Sequence, residues 1–192
     1  MKRIVFLLLI AGLGVAPLAH AQNHAEVGAF VDYFKLGETS SNFVGFGGRA
    51  AFNIVPDVQI EAEMAYDFNR VFTEGFTDNT SGTVTTTNSN LRVLHGLFGP
   101  KFQTSGPVRV FVTVKGGFVD FRFDPAPASF DTFTSSVTNL RAKNVDAALY
   151  PGAGVEAFLG PIGLRLEVGD EIIFASGARN NWKVTFGPQI RF

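Results

Sequence analysis

Apolar and polar side chains alternate one by one along several segments of this chain. In residues 58–69, every second residue from Val58 to Phe68 is apolar or aromatic, and the residues between them include three acids. Residues 182–192 repeat the pattern, with basic, neutral polar and glycine residues at the alternate positions. Successive residues of a β-strand face opposite sides, whereas a helix returns its apolar residues every three or four positions. Both segments are therefore predicted to be strands with one apolar and one polar face.

The same alternation predicts eight strands in all. Their predicted ranges are residues 25–36, 44–54, 58–69, 91–102, 108–123, 145–159, 164–174 and 182–192. In the fifth strand the apolar positions change phase after Gly116 and Gly117, from Val108–Val114 to Val119 and Phe121. An extra residue in one strand would explain such a slip, so we expect a β-bulge at the glycine pair.

The connections between the predicted strands alternate in length. Short turns lie at residues 55–57, 103–107 and 160–163, and longer polar connections lie at about 37–42, 70–90, 124–144 and 175–181. An up-and-down barrel with both termini at one end has this alternation, because short turns gather at one end and loops at the other. The prediction is an all-β fold, an eight-stranded antiparallel up-and-down transmembrane β-barrel.

The polar face of the strands carries nearly balanced charge. It holds Glu26, Asp32, Arg49, Glu61, Glu63, Asp67, Lys101, Arg109, Lys115, Asp146, Glu156, Arg165, Glu167, Lys183 and Arg191. A soluble barrel with an apolar lumen is the alternative orientation. About five or six large apolar side chains from each strand, however, exceed what the interior of an eight-stranded barrel holds. We therefore predict that the apolar face meets lipid and that the charges form an ion-pair network in the lumen.

That predicted lumen network consists of Arg49, Glu61, Glu63, Asp67, Lys101, Arg109, Lys115, Glu156, Arg165, Glu167, Lys183 and Arg191. The chain contains 21 Phe and one Trp. Aromatic residues near strand ends are predicted to form interfacial girdles, and these are Tyr33, Phe43, Phe102, Trp182 and Phe192.

The first 21 residues are predicted to be a cleaved signal peptide. Lys2 and Arg3 precede an apolar run, and Ala19-His20-Ala21 matches a small-x-small cleavage pattern. A retained anchor is the alternative, but the run is short for a membrane span. Residues 22–192 then form one barrel domain. With 17 acids against 16 bases, the chain has no basic excess for binding nucleic acid. It also has no cysteine to cross-link the fold.

The whole predicted mature chain resembles the OmpA/OmpX-type family of eight-stranded outer-membrane barrels. The resemblance rests on the signal segment, the strand count, the loop alternation and the closing segment WKVTFGPQIRF at residues 182–192. It implies a monomer in the bacterial outer membrane whose partners are outer-membrane lipids. Phe192, Ile190 and Phe186 would form the signal that the barrel assembly machinery reads after periplasmic chaperones deliver the chain. Unlike longer family members, the sequence shows no peptidoglycan-binding domain after the barrel.

Three motifs in the sequence are candidates for a chemical site. Residues 152–157 fit the G-x-G-x-x-A pattern of dinucleotide sites, but a turn follows where a helix is needed. His95 has no adjacent serine and is expected to join a hydrogen-bond network. Glu61, Glu63 and Asp67 could act as paired acids in glycoside chemistry, but a structural network with nearby bases is favoured. No cofactor, metal or catalytic residue is predicted.

The function expected from the sequence is a non-enzymatic structural barrel that contributes to membrane integrity, with a surface role for its loops. A small passive channel is the main alternative. A lipid-modifying enzyme that uses His95 is the third.

Overall fold

A computed structural model describes residues 24–37, 40–77, 84–124, 145–175 and 177–192. The predicted signal peptide and nearly all of the predicted loop at 124–144 lie outside these residues. The described chain forms ten antiparallel strands. They are β1 (Ala25–Leu36), β2 (Ser41–Val55), β3 (Val58–Thr77), β4 (Val84–Gln103), β5 (Val108–Asp124), β6 (Val145–Leu159), β7 (Ile162–Asp170), β8 (Ile172–Phe174), β9 (Ala178–Arg179) and β10 (Trp182–Arg191). Among the described residues there is no helix with the length and hydropathy needed to cross a bilayer.

The ten strands build the eight walls of a closed barrel. Consecutive strands pair with one another from β1 through to β7. Strand β7 also pairs with β10, and β10 pairs with β1, which closes the barrel. Strand β8 continues β7, because β6 pairs with both in a single register: Gly152 lies opposite Gly169, and Ala148 opposite Ile173. Strand β9 continues β10 in the same way. The predicted eight-stranded barrel is confirmed.

Both described termini and the short turns lie at one end of the barrel, which we call the turn end. The backbone N–H groups of His24 and Ala25 donate to the carbonyl of Phe192, each at 2.9 Å. The last residue therefore closes the sheet against the start of β1. The opposite end, where β1 leaves towards β2, is called the loop end.

The predicted loop at 70–90 is mostly a β-hairpin. Strands β3 and β4 pair from Arg70–Leu91 to Thr77–Val84, and only residues 78–83 are left outside the described chain. Beyond Asn90, the described residues of β2 and β5 pair with neither strand of this hairpin, because pairing with β2 ends at Asp67 and pairing with β5 ends at Asn90. The hairpin thus extends beyond the described part of the barrel wall at the loop end. Threonines at residues 85–87 favour strands, which explains why a polar segment is extended here.

The predicted β-bulge at Gly116-Gly117 is wrong. Strand β5 keeps one register with β6 from Val108–Ala157 to Asp120–Val145, across the glycine pair. Val119 and Phe121 are apolar residues that face the interior, in phase with Lys115, and are almost fully buried. Gly117 allows β5 to approach β4 closely, since a Cβ at this position would lie 1.9 Å from the carbonyl oxygen of Gly96. The register shifts that do occur lie at 53–55 on β2 and 67–70 on β3.

The barrel interior has an apolar layer at its loop end. Its buried members are Phe34, Leu36, Phe43, Leu91, Val93, Leu97, Val119, Phe121, Ala148, Tyr150, Ile173 and Ala175. Phe43 was expected in an aromatic girdle but is 1% exposed, and its ring lies 6.3 Å from that of Phe34. The even positions of β2 face outward, and Phe43 is at an odd one. Tyr33, Phe102, Trp182 and Phe192 are exposed on the outer surface.

We expect Phe121→Ala to lower the free energy of unfolding by about 3–5 kcal/mol, because it leaves a cavity in a packed layer. Urea unfolding of the purified protein in lipid vesicles measures this. Phe46→Ala is the matched control, since Phe46 is 57% exposed on the outer face, where lipid chains can fill the space. Equal losses in both variants would contradict the inward position of Phe121.

Candidate functional site: the charged interior

The inward positions of the strands carry the charged residues predicted for the lumen. Of the predicted network, the structure buries all members except Arg191, which is partly exposed at the turn end. Each buried member lies at an inward position of its strand, so the alternation that forms the sheet also directs these side chains to one interior. The charges divide into three groups along the barrel, which we name lower, middle and upper from the turn end.

The lower group consists of Glu26, Lys101, Arg109 and Glu156. The Lys101 ammonium donates to Glu156 Oε1 at 2.6 Å and to Glu26 Oε2 at 3.2 Å. Arg109 donates to the other oxygen of Glu26 at 3.0 Å. These two acids and two bases come from β1, β4, β5 and β6, so the group connects walls on different sides of the barrel.

The middle group consists of Arg49, Glu61, Glu63, Lys115, Arg165 and Glu167. Lys115 lies at its centre and contacts three carboxylates: Glu61 at 2.6 Å, Glu63 at 2.6 Å and Glu167 at 3.0 Å. A buried lysine without partners would be strongly destabilising, because its charge has lost the solvation that water provides. Three carboxylates around one ammonium replace that solvation.

Arg165 and Arg49 complete the middle group. Arg165 makes a two-pronged ion pair with Glu61 and also contacts Glu167 at 2.5 Å and Glu156 at 3.2 Å. The contact with Glu156 joins the middle group to the lower one. Arg49 contacts Glu167 Oε2, the same oxygen that Arg165 contacts, at 3.0 Å. The planar guanidinium suits such shared carboxylates, because it offers several donors in a fixed geometry.

The upper group consists of Asp32, Asp67, His95, Glu171 and Lys183. His95 lies between two acids, with Nδ1 2.8 Å from Glu171 and Nε2 3.0 Å from Asp67. The Lys183 ammonium lies 3.4 Å from Asp32 and 3.3 Å from Glu171. The Phe34 ring covers His95 from the loop end, with the centroids 4.7 Å apart. The apolar layer therefore begins directly above this group.

Sequence reasoning missed Glu171, although its position gave a signal. Glu171 has the same odd parity as Arg165 and Glu167, but it falls between β7 and β8, where the strand is interrupted. The Asn181 side chain donates to the backbone carbonyl of Glu171 at 2.9 Å. The backbone N–H of Glu171 donates to the backbone carbonyl of Asn181 at 2.7 Å. These bonds keep Glu171 in the register of the wall and its carboxylate inside.

Buried aromatic rings contact the cations of the interior, and the sequence did not predict these contacts. The Phe111 ring has the Arg165 guanidinium 4.2 Å from its centroid, and Phe158 has that of Arg191 at the same distance. Tyr150 lies 5.3 Å from the Lys115 ammonium. Such cation–π contacts are attractive, most of all away from water. An alternating pattern shows that these rings face inward but not which cation each will meet.

The glycine motif at residues 152–157 and the acids of β3 have structural roles. Residues 152–157 lie within β6, which continues to Leu159 and passes through a turn into β7. Glu61 and Glu63 each contact at least one buried base, and Asp67 contacts His95. The interior therefore arranges its acids as acceptors for fixed cations.

The fold matches several solved outer-membrane barrels at low sequence identity. Neisserial surface protein A matches with a TM-score of 0.55 and 10% identity, over 88% of this chain and 96% of that one. The N-terminal β-barrel domain of Pseudomonas aeruginosa OprF gives a TM-score of 0.53 and 14% identity, over 89% and 98%. Ail of Yersinia pestis, solved with the heparin analogue sucrose octasulfate, gives 0.50 and 16%, over 88% and 97%.

These three are eight-stranded outer-membrane barrels of the OmpA/OmpX type, and the present chain has their fold. No protein-family model matches the sequence, and no curated protein matches it either. The likeness to the three solved barrels confirms, at the level of the fold, the resemblance inferred from the closing segment and the strand pattern.

We expect Arg165→Gln to lower the free energy of unfolding by about 3–5 kcal/mol, because it leaves buried carboxylates without their partner. Arg122→Gln is the matched control. The Arg122 side chain is 72% exposed and pairs with Asp120 at 2.8 Å, so its loss should cost no more than about 1 kcal/mol. Adding Glu61→Gln to Arg165→Gln should cost less than the sum of the two changes. Equal effects of the two arginine variants would contradict the role of the network.

Proposed function

We propose that this protein is a non-enzymatic structural barrel of the bacterial outer membrane, exported with residues 1–21 as a cleaved signal peptide and acting as a monomer. The observation that carries the proposal is the filled interior. The three charged groups occupy the lumen from the turn end upward, and the apolar layer fills its loop end. Side chains that fill the lumen in this way support the wall, and they favour a barrel without a path for solutes.

A passive channel is the main alternative to a structural barrel, and the packing above the turn end disfavours it. A hollow at the turn end is lined by His24, Asn53, Arg109 and Arg191. Above it, Lys101 and Arg165 are almost fully buried. An eight-stranded barrel has an interior just wide enough for its own side chains. Ions entering the hollow therefore meet paired charges rather than a water column.

A lipid-modifying activity based on His95 is disfavoured by the surroundings of the imidazole. Both ring nitrogens contact carboxylates, and the ring is 1% exposed beneath Phe34. A general base must reach the proton that it removes. His95 has no such access from either the outer surface or the loop end in the described structure.

A surface role is supported by the projecting hairpin of β3 and β4. Its backbone pairing extends from Arg70 to Thr77, beyond the last described pairing of β3 with β2 at Asp67. Among the similar structures, one is called a surface protein and another an attachment invasion locus protein. We propose that this hairpin carries whatever contact the protein makes outside the membrane.

We also propose that Phe192, Ile190 and Phe186 form the segment read by the assembly machinery, after chaperones have delivered the chain across the periplasm. The three side chains are about half exposed on the outer face of the last wall. They are accessible to a partner before lipid covers them. After insertion, outer-membrane lipids contact this same outer face.

Purified protein in planar bilayers should show no stable unitary current, because the interior is closed by side chains. A porin inserted under the same conditions provides the positive control, and heat-dependent mobility on detergent gels verifies that the barrel is folded. Sizeable and reproducible unitary currents from folded protein would overturn the structural assignment in favour of the channel.

Deleting Phe192 should reduce the amount of protein in the outer membrane several-fold while changing the unfolding free energy of refolded barrel much less. The expected reason is that recognition during assembly needs the terminal aromatic residue. Phe102→Ala and Phe192→Ala form a matched pair, since both rings are 49% exposed at the turn end. Equal membrane levels for the two variants would contradict a special role of the terminus.

A further inference from the structure

The three interior groups differ in their charge balance. The lower group pairs two acids with two bases, and the middle group pairs three acids with three bases. The upper group sets Asp32, Asp67 and Glu171 against one fixed base, Lys183, with His95 as the other member. The Lys183 ammonium contacts Asp32 and Glu171, and it also lies 3.7 Å from Glu63 of the middle group. An unbalanced buried negative charge is costly, because the interior gives little of the solvation that water provides. The upper group therefore requires additional positive charge, which either a second proton on His95 or a bound cation supplies.

The three side chains Asp32, Asp67 and His95 converge on one point. Each offers a ligand atom, and these atoms all lie within 4.8 Å of one another. Within the part of the chain that the structure describes, neither carboxylate oxygen of Asp32 accepts a hydrogen bond, and Asp67 Oδ1 accepts none either. The nearest cation to Asp32 is the Lys183 ammonium, at 3.4 Å. Both aspartates are fully buried. Buried carboxylate oxygens without donors are rare, and a bound cation is one way in which they are satisfied.

Glu171 holds His95 in the orientation of a metal ligand. When Nδ1 donates its hydrogen to Glu171 at 2.8 Å, Nε2 carries a lone pair that faces Asp67 Oδ2 at 3.0 Å. Two electron pairs at that distance need either a proton or a metal ion between them. A carboxylate that accepts from the far nitrogen is the usual second partner of a metal-bound histidine, since it fixes the ring and strengthens the ligand.

We propose that Asp32, Asp67 and His95 bind one divalent transition-metal ion of the zinc class inside the barrel. One imidazole nitrogen and two carboxylate oxygens form a ligand set that such ions accept. Two positive charges added to the single charge of Lys183 balance the three carboxylates of the group. Lys183 lies 3.4 Å from Asp32, so it weakens the site without neutralising it.

The other cluster of carboxylates in the described interior provides a contrast. Ligand atoms of Glu61, Glu63 and Glu167 are also within 4.8 Å of one another. Lys115 contacts all of them, and Arg165 contacts two. Fixed bases therefore already occupy the place that a cation would take. The proposed site is specific to the upper group.

The position of the site determines how it is loaded. Phe34 and the apolar layer cover His95 on the loop end, and the middle group lies on the other side. An ion would enter while the barrel is still open and would then exchange slowly. The metal must therefore be supplied during refolding and challenged with chelator only afterwards.

The test uses untagged protein refolded from urea into detergent with excess Zn²⁺, washed with chelator and desalted, with metal measured by mass spectrometry. Folded wild type should retain about one equivalent. His95→Gln and Asp32→Asn should each retain far less. His24→Gln, which replaces the other histidine of residues 22–192, is the matched control and should retain as much as the wild type. Refolding with Co²⁺ instead should give visible absorption that is lost in His95→Gln.

Heat-dependent mobility on detergent gels is measured on every sample, so only folded barrel is compared. If both site variants fail to fold, the wild type still decides the proposal, because Zn²⁺ present during refolding should raise its midpoint of urea unfolding. Folded wild type that retains no zinc would overturn the site, and would indicate that a proton on His95 supplies the missing charge. Equal retention by His95→Gln would also overturn it.

Discussion

Charged groups buried inside this barrel are removed from water, and the rest of the structure depends on their having partners of opposite charge. Removing a carboxylate or an ammonium from water costs several kcal/mol even after relaxation. The middle group offsets this cost by giving Lys115 three carboxylates and Arg165 a two-pronged pair with Glu61. Because these side chains come from opposite walls, the ion pairs also fix the walls relative to one another. Losing one member of this network would leave another charge buried without its partner.

The apolar layer at the loop end gives the charged network its boundary. Phe34, Phe43 and Phe121 face inward although lipid is available outside. They separate the upper charged group from the loop end and fill the space that long polar side chains would otherwise occupy. The interior thus changes along the barrel, from the three charged groups that begin at the turn end to the apolar layer at the loop end, where Asp146 is also buried. The charged groups and the apolar layer together fill more of the interior than the charged network does alone.

The outer surface follows a different constraint. In a bilayer every backbone donor and acceptor needs a partner within the protein, and a closed sheet provides one for each wall. The carbonyl of Phe192 meets β1 at the seam, so the final residue takes part in closing the barrel. The same residue exposes its ring on the lipid face. Its proposed role in assembly and its place at the seam are therefore compatible.

The sequence by itself determined which side chains share a face, because the period of two in a strand is a local property. From that period follow the eight walls, the inward positions of Arg49, Lys115 and Arg165, and the outward positions of Phe186 and Ile190. A period of two does not say what a face will meet at each level. Val119 and Phe121 kept the phase of Lys115, yet their apolar character suggested a bulge and an outward position. Arg49 and Glu167 are 118 residues apart in sequence, and only closure of the barrel brings them to 3.0 Å. The tertiary structure alone decided these pairings and the position of His95 between Asp67 and Glu171, because they depend on which walls face each other across the interior.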